Sequence, residues 1–131
     1  MTAITAETAS VSVDFVAPMP GLRPHTSFSL DPIGGAEGLY ALRATDADVR
    51  LFLLDPVFND YDYAPRISAG VRADLGAAEG GDLRVLIVAN PSDDGVYVNL
   101  RAPIVLDPAT GRALQIILDD EEYPIRVRLD G

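Results

Sequence analysis

The sequence predicts a mainly β protein: a small, antiparallel, barrel-like single domain with one short helix. Three features carry that prediction. Runs of roughly five to seven residues alternate apolar and polar side chains, the period of a half-buried strand. Clusters of Pro, Gly, Asp and Asn separate those runs. Only one segment has helical spacing. A chain of 131 residues suits a single domain with one core, and its 48% hydrophobic content is that of a folded protein and not of a disordered one.

Residues 1–10 are rich in Thr, Ala and Ser without periodicity and are expected to be a frayed start, with the domain occupying 11–131. Val11, Val13 and Phe15 then alternate with Ser12 and Asp14, and the strand stops at Pro18-Met19-Pro20-Gly21, where proline cannot donate to a ladder. Phe28 and Leu30 mark a short strand ended by Asp31-Pro32. Leu39–Ala44 and Val49–Leu54 read as a hairpin across the polar link Thr45-Asp46-Ala47-Asp48, closed by Asp55-Pro56.

Residues 57–65 mix aromatic and acidic side chains in a stretch that proline keeps extended. The helix is expected over Ser68–Ala78, capped by Ser68, with Val71 and Leu75 on one face. Gly70 and Gly76 each weaken it by about 1 kcal/mol relative to alanine. Leu83–Ala89 is almost wholly apolar, as expected of a central strand covered on both faces.

Val96, Val98 and Leu100 alternate with Tyr97, Asn99 and Arg101, so one face belongs to the core and the other offers polar groups. Pro103 must interrupt that ladder, at an edge or a bulge. After the turn Asp107-Pro108-Ala109-Thr110-Gly111, Arg112–Leu118 is expected to return antiparallel. The quartet Asp119-Asp120-Glu121-Glu122 reads as a solvated turn, because adjacent carboxylates lack the spacing of a calcium loop. A last strand is expected to place Ile125, Val127 and Leu129 inward, with Arg126 and Arg128 outward.

Composition excludes several chemistries. All ten cations are arginine, so neither a Schiff-base lysine nor the lysine of a phosphate loop is available. Without cysteine there is no disulfide, thiolate nucleophile or cysteine-bound metal, which suits a reducing cytoplasm. The lone His25 has neither the partners of a zinc site nor those of a catalytic triad and reads as a loop residue. No cofactor is expected.

A net charge of −10 makes direct nucleic-acid binding unfavourable and favours encounter with a basic partner. No apolar run is long enough for a membrane helix. Phe58, Tyr61 and Tyr63 stand in an acidic connection, where they either anchor a protein interface or pack down over the barrel end.

Four segments, in order, resemble the flagellar assembly factor FliW family: Phe15 followed by Met19-Pro20-Gly21-Leu22; Leu54-Asp55-Pro56 followed by Tyr61-Asp62-Tyr63; Val98-Asn99-Leu100-Arg101-Ala102-Pro103-Ile104-Val105; and Gln115-Ile116-Ile117-Leu118 followed by Tyr123. The likeness runs from about residue 13 to 129, and its last two motifs are the specific ones. The chain departs from the family pattern at Leu22, at Ala41-Leu42-Arg43-Ala44 and at Gly95-Val96-Tyr97.

The resemblance implies a non-enzymatic cytoplasmic monomer that binds flagellin and the RNA-binding translational regulator CsrA in turn, lifting repression of flagellin synthesis when flagellin is exported. The partner surface is expected at Asp55, Pro56, Phe58, Tyr61 and Tyr63, and on the polar face at Asn99, Arg101 and Pro103. Two other readings of the residues remain open: a barrel holding a small apolar ligand, which requires an internal cavity, and a hydrolase built on two converging carboxylates.

Overall fold

A computed structural model describes residues 10–19, 22, 24–33, 38–56, 63, 65, 67–77, 83–118, 123–124 and 126–128. The expected frayed start, the aromatic pair Phe58 and Tyr61, and the acidic quartet 119–122 lie outside these residues.

The strands are β1 (Val11–Phe15), β2 (Ser27–Pro32), β3 (Leu39–Ala44), β4 (Arg50–Leu54), β5 (Arg84–Ser92), β6 (Gly95–Asp107), β7 (Arg112–Gln115) and β8 (Val127–Arg128), with helix α1 (Ala69–Leu75) between β4 and β5. They follow the order β5-β4-β3-β2-β1-β7-β6, and a further β5–β6 pairing closes the ring into a seven-stranded barrel. β8 lies against β6 outside that ring. Closure leaves no unpaired barrel edge, the hazard of an open sheet.

Every pairing is antiparallel except one, between β1 and β7, where Asp14 faces Arg112 and Phe15 faces Ala113. The arrangement is thus mainly antiparallel, as expected, with this one parallel seam. Gly111 makes it possible. At φ +80° a Cβ on Gly111 would lie 2.7 Å from the Ser12 carbonyl oxygen, while the Gly111 carbonyl accepts the Asp14 N–H at 2.8 Å. Only glycine lets the turn pass this close to β1.

α1 is shorter than its periodicity suggests. Ser68 caps it by accepting the Val71 N–H at 3.2 Å, as predicted. Gly76 then adopts the left-handed conformation, and it and Ala77 donate back to Ala73 and Arg72, the glycine-terminated helix end that stops propagation.

The alternation in each strand sorts side chains between two apolar clusters. Val13, Phe15, Phe28, Leu30, Leu42, Leu53, Leu86, Ile104 and Leu106 fill the barrel, with Phe15 and Phe28 in edge-to-face contact at 5.3 Å. The central space among them holds no room for a water molecule. Among the described residues, this central space therefore lacks the few hundred cubic ångströms that a small-molecule site needs. Leu54, Ile87, Ala89 and Val98 form a second cluster, partly covered by Phe52, Tyr63, Leu100 and Val127. β5 thus contributes to both, as its continuous apolar run implies.

Candidate functional site

The expected interruption at Pro103 is a bulge. Leu86 of β5 faces Ile104 of β6, yet Val88 faces Asn99, so the four residues Leu100–Pro103 occupy the register of Ile87 alone. Such an insertion strands backbone polar groups that the ladder would have paired. Here each finds a partner.

The Leu100 N–H donates to the Pro124 carbonyl at 3.1 Å, and the Leu100 carbonyl accepts the Tyr63 hydroxyl at 2.5 Å. Asn99 Oδ1 accepts both the Arg101 and Ala102 N–H groups, at 3.0 and 3.1 Å. The Arg101 carbonyl accepts from Leu118 N–H at 2.7 Å, and that of Pro103 from Ile116 N–H at 3.0 Å. Gln115 Nε2 donates to the Ala102 carbonyl at 3.0 Å. Proline at 103 has no N–H to satisfy.

This wiring explains why the two most specific sequence motifs contain the residues they do. Asn99, Pro103, Gln115 and Tyr123 are the parts of one bulge and of the chain that runs beside it. The segment after β7 continues along β6 by the Ile116 and Leu118 bonds, and Pro124 and β8 also bond to β6. Arg101 bonds to both stretches: its carbonyl accepts from Leu118 N–H and its Nε donates to the Tyr123 carbonyl at 2.8 Å.

Tyr63 ties a third segment to the same place. Its ring meets Tyr123 edge-to-face at 5.4 Å and 87°. Burial, reinforced by the neighbouring Tyr123, pushes the Tyr63 phenol well above its ordinary value, so it remains a hydrogen-bond donor through the physiological range.

Tyr63 also lines an open cleft of about 350 Å³ with Asp55, Pro56, Ile67, Leu83 and Arg84. At that cleft the buried Asp55 carboxylate accepts from Arg84 Nη2 at 3.0 Å, and the same nitrogen reaches the Tyr40 hydroxyl at 3.3 Å. Burial works against the Arg84 charge, but the hydrogen bonds to Asp55 and Tyr40 outweigh it and hold its pKa above the usual value. The pair is an ionic rivet between β4 and β5.

The residues expected at a partner surface therefore divide. Asp55, Pro56 and Tyr63 share the cleft, and Tyr63 connects it to the bulge holding Asn99, Arg101 and Pro103. Asp55 and Pro56 are buried, Pro103 is under 2% exposed, and Asn99 spends its acceptor on its own backbone. Arg101 and Tyr63 are half-buried and remain accessible.

Sequence reasoning missed Ile117, which is 63% exposed beside the bulge. The adjacent pair Ile116-Ile117 breaks period-2 alternation, which was the available signal. It also missed that Gln115 and Tyr123 are structural partners of Arg101 and Ala102. His25 is a loop residue, 3.1 Å from Asp46. Among the described residues no three His, Asp or Glu side chains gather as metal ligands, and no helix is long and apolar enough to cross a membrane.

Comparison with known proteins agrees with this architecture. A family model described as FliW protein matches residues 1–129. The flagellar assembly factor FliW of Exiguobacterium sp. is 30% identical over 123 residues, covering 92% of this chain and 84% of that protein. That of Syntrophotalea carbinolica is 38% identical over 84 residues, or 62% of this chain and 59% of its own. A crystal structure of the flagellar assembly factor FliW superimposes with a TM-score of 0.82 over 92% of this chain and 86% of that one, at 21% identity, and so shares the fold. With the match spanning nearly every residue, and the bulge built from the motif residues themselves, the chain belongs to the FliW family of flagellar assembly factors.

Proposed function

We infer that this protein is a cytoplasmic, non-enzymatic docking body that binds flagellin and the translational regulator CsrA in turn, so that free flagellin controls how much CsrA remains active. The observation that carries this reading is the bulge: the family's most specific motif residues are spent on holding one irregular surface in shape, around a barrel whose interior is packed solid. A rigidly held, partly apolar surface is what a protein interface uses, because little ordering entropy is lost on binding.

We propose a docking surface on Tyr63, Arg101, Tyr123 and the exposed Ile117, continuing along the cleft at Asp55 and Pro56, with Phe58 and Tyr61 added on the sequence reading alone. The net charge of −10 supports a basic RNA-binding regulator as one partner, since opposite fields accelerate encounter. Alternation then follows from linkage: two ligands of one protein distribute by affinity and free concentration.

The test is competition. A preformed complex with CsrA should release CsrA when flagellin is added, as resolved by size-exclusion chromatography. A stable ternary complex, or no binding of either protein, defeats the reading. Replacing Phe58 and Tyr61 by alanine should weaken capture while leaving the melting temperature nearly unchanged.

A further inference from the structure

At the opposite end of β4 from Asp55, about 17 Å away along the strand at roughly 3.4 Å per residue, two arginines face each other. Arg43 of β3 and Arg50 of β4 are direct cross-strand partners, and both are exposed. Like charges directly opposite on a sheet destabilise it. Their pairing is unexpected in a chain with twenty acidic residues and ten basic ones.

Among the described residues, one of the two charges has a single exposed ion pair and the other has none. Arg43 Nε lies 3.6 Å from Asp31 Oδ2 at the surface, while Asp31 takes a shorter hydrogen bond, 2.7 Å, from Ser29. Arg50 has no ion-pair partner among the described residues. Its guanidinium carbon lies over the Phe52 ring, 5.1 Å from the centroid, and a guanidinium is the group that can grip a carboxylate in a two-pronged bond.

Between the arginines and the β3–β4 turn runs a groove of about 530 Å³, lined by Arg43, Ala44, Ala47, Asp48, Val49 and Arg50. Its lining combines the two guanidiniums with Ala44, Ala47, Val49 and the Asp48 carboxylate, while Asp46 of the same turn lies 3.1 Å from His25. We propose that this groove binds an acidic segment of a protein partner, with an Asp or Glu carboxylate between Arg43 and Arg50 and a hydrogen-bond donor of the same segment at Asp48. A nucleic acid or an anionic membrane does not fit, because two guanidiniums with Asp48 beside them can hold one carboxylate and not a run of phosphates. The site is separate from the docking surface described above.

The test is an NMR titration of the full chain with a short peptide carrying one glutamate among serine and glycine residues, using inorganic phosphate as a comparison. The peptide should shift the Arg43 and Arg50 Nε–H signals and the amides of Ala44, Ala47 and Val49, saturably. The shifts should fall at least tenfold in the Arg43→Gln/Arg50→Gln variant, whose melting temperature should equal or exceed that of the parent. Shifts that are absent, that lie elsewhere, that persist in the variant, or that phosphate reproduces at the same concentrations would overturn the proposal. Because the probe is neither flagellin nor CsrA, this result is independent of theirs.

Discussion

The Tyr63 hydroxyl donates to the Leu100 carbonyl across 37 positions of sequence, and this bond connects the segment after β4 to the bulge of β6. Replacing Tyr63 by phenylalanine keeps the ring against Tyr123 and strands a half-buried carbonyl. The expected cost is about 1–3 kcal/mol, measured by urea unfolding against the parent.

The same phenol makes a pH prediction. Its folded pKa is raised chiefly by burial, so the folded state holds the proton more tightly than the unfolded chain, whose tyrosines titrate near pH ~10. The contribution to stability is complete below pH ~10 and is lost as pH climbs above it. Absorbance titration should show one tyrosine ionising later than the others, and Tyr63→Phe should remove that late component.

Asn99 accepts two backbone N–H groups with one oxygen. Asn99→Ala leaves both without their partner, and should destabilise by about 1–3 kcal/mol. Asn99→Asp retains the acceptor and should lose less. Comparing the two by thermal melting separates loss of the acceptor from loss of the amide.

Gly111→Ala tests the parallel seam. The substitution meets both a left-handed backbone and the Ser12 carbonyl oxygen 2.7 Å away. The positive φ alone costs about 1–2 kcal/mol, and the contact adds to it. The loss should appear as faster amide exchange at Asp14, whose N–H bonds to the Gly111 carbonyl.

Much of this architecture is legible in the sequence because the alternation is regular. Val13 and Phe15, Phe28 and Leu30, and the apolar run around Ile87 identify their strands directly, and Ser68 marks the start of the helix. Pro103 announces an irregularity. The β1–β7 pairing was not legible, since it joins strands nearly a hundred residues apart and depends on a backbone approach at Gly111, which reads locally as an ordinary turn. The site was legible as a motif but not as a mechanism. Asn99 and Arg101 look like the polar face of a strand, and only the register slip opposite Ile87 reveals that Asn99 serves its own backbone while Arg101 reaches Tyr123.

The central claim, that proteins dock on the face organised by the bulge, is tested most directly at Ile117. Its 63% exposure means that Ile117→Asp removes no core contact, and the melting temperature should stay within about 2 °C of the parent, as for a surface change. Binding of CsrA and flagellin, followed by isothermal titration calorimetry, should weaken by about tenfold or more, the effect of placing a charge in an apolar interface. Affinities within twofold of the parent for both proteins, with the fold intact, would contradict the account.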